Sequence, residues 1–98
     1  MKTLTEEEIK KKVSEIEDWS VDGKRLVREL IFQDFISAFA FMTECAFASE
    51  KLNHHPDWCN RFDRVTIRLT THDAGGLTEL DFRLADSIDA VARRFHHK

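Results

Sequence analysis

The sequence is short of the residues that interrupt structure, with one proline and three glycines in 98 residues. It also lacks repeats, low-complexity tracts and linker-like stretches, so residues 1–98 read as one domain, large enough to bury a core without staples. Cysteine is scarce. Cys45 and Cys59 form no CxxC pair and no disulfide framework, and Cys45 falls within an apolar helical pattern where a buried, inert thiol is expected. No apolar run approaches the ~18 residues of a membrane span, and "MKTLTEEEIKKK" has no signal-peptide core. A cytoplasmic setting without a membrane partner is therefore expected. Positive charge is not in excess either: the formal charge is −3 and the sequence pI about 5.9, a balance that does not attract polyanions. The one basic cluster, Arg93-Arg94 followed by His96, His97 and Lys98, reads as a solvated, frayed helix end, and no direct nucleic-acid contact is expected. What the chain does have, 42% hydrophobic and 34% charged residues, is the make-up of a folded globular protein.

Periodicity orders the elements. "TEEEIKKKVSEI" opens with a capping box, Thr5 and Glu8, and places Ile9, Val13 and Ile16 on one helical face. "DWSVDGKRLVRELIF" predicts a hairpin turning at Asp22-Gly23, with Lys24–Phe32 as its second strand. "QDFISAFAFMTECAFASEKLN" predicts about five turns of helix with Asp34 as N-cap. Phe35, Phe39, Met42 and Ala46 are its expected core stripe, and Ile36, Phe41 and Phe47 point elsewhere. A helix apolar on most sides exceeds what one sheet in a small domain can cover, so self-association is expected. "WCNRF" and "RVTIRLTTH" predict a second hairpin across Asp63, with Val65, Ile67 and Leu69 alternating inward. "LTELDFRLADSIDAVARRF" is a last amphipathic helix with Leu80, Leu84, Ile88, Val91 and Phe95 as its stripe. The order α-β-β-α-β-β-α implies an α+β domain: a four-stranded antiparallel sheet with three helices packed on one face.

Chemistry concentrates where the second helix ends, at "SEKLNHHPDW". Pro56 disfavours helical geometry at His55, so His54 and His55 leave from an irregular segment. Glu50 lies one turn before His54 and can fix its tautomer. His72 ends another element, and Asp81 follows early in the last helix. Imidazoles titrate near neutrality, so such a group can supply a proton donor and a proton acceptor together. A zinc site from His54, His55, His72 and Cys59 is the competing reading, but adjacent histidine side chains diverge and neither HExxH nor paired CxxC spacing is present. Cys59 has no evident activating partner and the serines carry no elbow motif. No metal and no cofactor are expected.

These residues resemble a known family. Glu50-x3-His54-His55-Pro56, then Phe62, His72 and Asp81, reproduce the spacing of the pterin-4a-carbinolamine dehydratases, and "FMTECAFASEKLNHHPDW" and "VTIRLTTHDAGGLTELDFRLA" are similar to that family throughout, from about Trp19 to Phe95. The resemblance implies loss of water from a 4a-hydroxytetrahydropterin to give quinonoid dihydropterin, the step that returns tetrahydrobiopterin after aromatic amino acid hydroxylation. It implies a pterin pocket lined by Asn53, His54, His55, Thr70, Thr71, His72 and Asp73. Because His54 and His72 come from different elements and can approach opposite faces of the flat ring, the acid roles are assigned to them. His55 would bind and orient, Glu50 and Asp81 would support the imidazoles, and Trp58 would be a candidate pocket wall. Two positions depart from the family pattern: Asn53, where Asp is common, and Ala74, where some relatives have Cys. The resemblance further implies a homodimer or homotetramer and functional coupling to an aromatic amino acid hydroxylase. Animal members also act as dimerisation cofactors of a homeodomain transcription factor, so an oligomeric interaction protein is the alternative function.

Overall fold

In the computed structural model, which describes residues 2–98, the chain runs α1 (Glu6–Ser14), β1 (Ser20–Asp22), β2 (Arg25–Ile31), α2 (Phe35–Leu52), β3 (Asp57–Arg61), β4 (Arg64–Leu69) and α3 (Glu79–Ala92), with a single 3-10 turn at His72–Ala74. The order and the α+β class agree with the periodicity. The sheet is antiparallel in the order β1-β2-β4-β3, because α2 carries the second hairpin back so that β4 pairs with β2 from Leu26↔Leu69 to Ile31↔Arg64. Alternation then sorts the side chains. Leu26, Leu30, Val65, Ile67 and Leu69 face inward and are buried, whereas Glu29 on the other face meets Arg64 at 3.2 Å and Thr66 at 3.3 Å. The three helices cover the inner face, α1 through the half-buried Ile9, Val13 and Ile16. No helix among the described residues is long and apolar enough to cross a membrane.

The turns carry local detail that periodicity does not reach. Asp22 pairs with Arg25, so the first hairpin turns on Gly23-Lys24, one residue later than expected, with Gly23 at φ 62°. Glycine accepts that left-handed geometry without steric cost. In the second hairpin Arg61 pairs with Arg64 around Phe62-Asp63. Phe62 sits at φ 53°, and the Asn60 amide donates to the carbonyls of Phe62 and Arg64.

Helix α2 begins as expected, with Asp34 Oδ1 accepting from the Ser37 N–H at 2.7 Å, but its core stripe differs from the prediction. Ala38, Phe41, Cys45 and Ser49 are buried, Met42 is half-buried, and Phe35, Phe39 and Ala46 are exposed along with Ile36 and Phe47. The observed stripe, spaced 3, 4 and 4 residues, is built mainly from small side chains, which let the helix lie close on the sheet. Phe41 fills the one deep gap, its ring 4.8 Å from Phe32 and 6.0 Å from Phe95. The other phenylalanines of the helix, Phe35, Phe39 and Phe47, are left on the open side.

Helix α3 buries Leu84, Ile88 and Val91 as expected, together with Phe82, Ala85 and Ala92; Leu80 and Phe95 are half-buried. It is anchored by Asp89, whose Oδ1 accepts from Trp19 Nε1 at 2.9 Å and from the buried Arg28 Nη1 at 2.5 Å. Burial pushes the Asp89 carboxyl up from the usual carboxylate range, against the pull of these two donors. The tail is docked rather than frayed: His97 bridges Phe32 and the Lys98 N–H donates to the Ile31 carbonyl at 2.8 Å. Arg94, in the one basic cluster, pairs with Glu44 of α2.

Candidate active site

The site is made where two helix ends meet. At the end of α2, Asn53 takes a left-handed conformation, φ 50° and ψ 44°. Its N–H donates to the Glu50 carbonyl at 3.1 Å, and the His54 N–H reaches back to Ser49 at 3.0 Å. This pair of bonds is a Schellman motif, and Pro56 two residues later prevents the helix from resuming. The reversal separates the two histidines. His54 is buried and His55 is exposed.

Each imidazole meets a carboxylate through the same nitrogen. His54 Nε2 lies 2.5 Å from Asp81 Oδ1, and His55 Nε2 lies 2.5 Å from Glu50 Oε2. Glu50 thus pairs with His55 rather than with His54, as helical spacing had suggested, because the left-handed residue rotates His54 away from the face on which Glu50 stands. In a neutral imidazole whose Nε2–H is held by a carboxylate, Nδ1 is the nitrogen able to accept a proton.

Asp81 is the third residue of α3 and belongs to its capping box with Thr78. Such a carboxylate ordinarily sits at the surface, but here it is fully buried. Its Oδ2 accepts from the Thr71 hydroxyl at 2.8 Å and from the Thr78 N–H at 2.9 Å, and the two threonine hydroxyls lie 2.8 Å apart. Both carboxylate oxygens thus have donors, as a buried carboxylate requires. Thr71 continues the inward parity of β4, so His72 beside it is exposed, at the start of the 3-10 turn.

The remaining expected residues divide. Asn53 and Asp73 are exposed, Asn53 having a structural duty as the left-handed cap. Thr70 is half-buried and donates to the Lys24 carbonyl at 2.7 Å, and the Thr71 hydroxyl is spent inside the protein on Asp81. Trp58 is half-buried and packs on the core. Asp81, His54 and Thr71 are directly bonded together, and chain continuity brings His72 with Thr71 and His55 with His54. The residue that sequence reasoning missed is Thr78. The signal was present in "TELD", a Thr-x-x-Asp helix start, and went unused because a capping box is usually only structural.

Comparison with known proteins identifies the family. Residues 2–91 match the family model described as pterin 4 alpha carbinolamine dehydratase. A relative from Solibacter usitatus bearing the pterin-4-alpha-carbinolamine dehydratase name is 52% identical over 89 residues, covering 91% of this chain and 94% of its own. One of the same name from Rhizobium johnstonii is 44% identical over 96 residues, covering 96% and 95%. Among solved structures, a protein from Brucella melitensis described as a transcriptional coactivator/pterin dehydratase superposes with a TM-score of 0.88 at 41% identity, over 92% of this chain and 98% of that one. A pterin dehydratase-like protein described as a RuBisCO assembly factor in the alpha-carboxysome gives 0.66 at 26% identity, over 78% and 90%. The chain belongs to the pterin-4-alpha-carbinolamine dehydratase family.

Proposed function

We propose that residues 1–98 form a dehydratase domain that removes water from a 4a-hydroxytetrahydropterin, yielding quinonoid dihydropterin for tetrahydrobiopterin recycling. The enzyme class, hydro-lyase, comes with the family. The observation that carries the reading is the His54–Asp81 pair, a buried imidazole held by a buried carboxylate with His55–Glu50 beside it. In the reaction the C4a–O bond breaks and its electron pair leaves with oxygen, which takes a proton from a general acid. The N5–H proton goes to a general base, and the electrons of that bond form the C4a=N5 double bond. His54, with Nε2–H directed at Asp81 and Nδ1 without a proton in the neutral imidazole, is suited to the base role rather than to the acid role expected from sequence. The exposed His72, arriving from β4, is suited to the acid role, and His55 to holding the ring. Asn53, Thr70 and Asp73 border the same region and would contact the substrate's polar edge. The Thr71 hydroxyl, turned inward, would not. No step needs a metal, a nucleotide or a covalent nucleophile. A cytoplasmic setting with a hydroxylase as upstream partner completes the reading, and the two free thiols are compatible with a reducing compartment.

The test is a coupled assay in which a phenylalanine hydroxylase generates the carbinolamine and its ultraviolet decay is followed. The protein should accelerate decay, and His54→Ala or His72→Ala should each lower kcat by about 10²–10⁴-fold, the usual contribution of a general acid or base. Full activity in His72→Ala would refute the assignment.

A second reading, an oligomeric interaction protein with secondary turnover, draws support from the open side of α2, where Ile36 is 77% and Phe47 73% exposed, and from the coactivator and assembly-factor descriptions of the two structural neighbours.

A further inference from the structure

We propose that Thr78, acting through Thr71, is a positioning residue for His54: the two hydroxyls orient Asp81 and thereby set which imidazole nitrogen faces the substrate. The inference rests on the dehydratase reading for its kinetic consequence, but not for its structural one.

Proton bookkeeping gives the chain a direction. A threonine hydroxyl has one proton. That of Thr71 is committed to Asp81 Oδ2 at 2.8 Å, so the 2.8 Å contact between the hydroxyls is Thr78 donating to Thr71. Thr78 Oγ1 in turn accepts from the Leu80 N–H at 3.3 Å. Asp81 Oδ2 thus receives Thr71 O–H and Thr78 N–H, and Oδ1 is left for His54 Nε2. With Oδ2 supplied by two donors, Oδ1 is the acceptor left for the His54 Nε2–H, and in the neutral imidazole Nδ1 is then the nitrogen without a proton. Reversing the Thr71 hydroxyl would point an oxygen lone pair at Oδ2. The hydroxyl direction and the imidazole tautomer are therefore linked. Thr78 and Asp81 are fully buried and Thr71 and His54 nearly so, so water does not substitute for a lost partner and each contact is strengthened by the low local dielectric. The capping box of α3 has two duties: it starts a helix, and it holds an imidazole on a different helix.

Thr71→Val removes the donor to Asp81 with little change of shape. Thr78→Val removes the first hydroxyl, and Thr78→Ser keeps it. The readouts, on the full-length protein, are the ¹⁵N shifts of the His54 ring between pH 5 and 9 and the pH profile of kcat in the coupled assay. The wild type should show a single tautomer with the proton on Nε2. Thr71→Val and Thr78→Val should mix the tautomers, displace the pH profile and lower kcat by about tenfold with KM nearly unchanged, a smaller loss than the ~10⁴-fold of a wholly wrong tautomer. Thr78→Ser should restore all three. A wild-type tautomer and pH profile in folded Thr71→Val overturns the inference, as does a fall in kcat with the tautomer unmoved, which marks a merely structural loss. Should Thr78→Val fail to fold, Thr71→Val decides alone. If the wild type has no turnover, the dehydratase reading fails while the ring shifts still decide the positioning.

Discussion

Cys45 and Cys59 carry the same side chain into opposite surroundings. Cys45 lies on the inner face of α2, and burial pushes its thiol up to about 12, whereas Cys59 is exposed on β3. Because the thiolate is the reactive form, an aromatic disulfide reagent at pH 8 should titrate one thiol rapidly in the native protein and the second only in denaturant. Two fast thiols would contradict the placement of α2. At this scale much of the site was legible. His54, His55, His72, Glu50 and Asp81 stand out by spacing and residue type, and the buried fate of Cys45 follows from the apolar pattern around it. The pairing was not legible. One residue at positive φ, Asn53, decides that Glu50 meets His55 and Asp81 meets His54, and asparagine in a helix-terminal sequence does not announce that it will take the left-handed conformation. The inward turn of the Thr71 hydroxyl was hidden for a similar reason, since it depends on a capping box seven residues further along the chain.

Among the elements, α2 separates what a pattern can give from what it cannot. Helical period and the Asp34 cap located it to within two residues at its start and one at its end. The docking face was misassigned because the helix is apolar on nearly every side, so two stripes satisfy the period and only shape chooses between them. Ala38, Cys45 and Ser49 permit the close approach that Phe35 and Phe39 would block. Phe41→Ala should therefore destabilise the fold by about 3–5 kcal/mol, the range for truncating a buried phenylalanine. Phe39→Ala, on the exposed side, should cost far less in the monomer. Urea unfolding of both variants measures the difference, and equal losses would mean that the helix is rotated. The strands were simpler to read because their alternation is strict: Val65, Ile67 and Leu69 had only one way to face.

At the scale of the molecule, the inner face of the sheet is covered and the outer side of α2 is not. Phe35, Ile36, Phe39 and Phe47 are exposed there, on an element that ends at the histidines. If this surface joins copies of the chain, Ile36→Glu should lower the mass measured by light scattering while leaving the circular dichroism and the urea midpoint of the separated chain intact. An unchanged mass would place the interface elsewhere or leave the chain monomeric. The position of Asp81 has one more consequence, which concerns the order of synthesis. The carboxylate that holds His54 belongs to α3, which leaves the ribosome after α2 and both hairpins, 27 residues after the imidazole it serves. A nascent chain that has released α2 and both hairpins still carries His54 without its anchor, and the same holds for any fragment ending before residue 81. The His54–Asp81 pair is thereby completed only as α3 docks on the sheet, which ties the assembly of the candidate site to the docking of that helix.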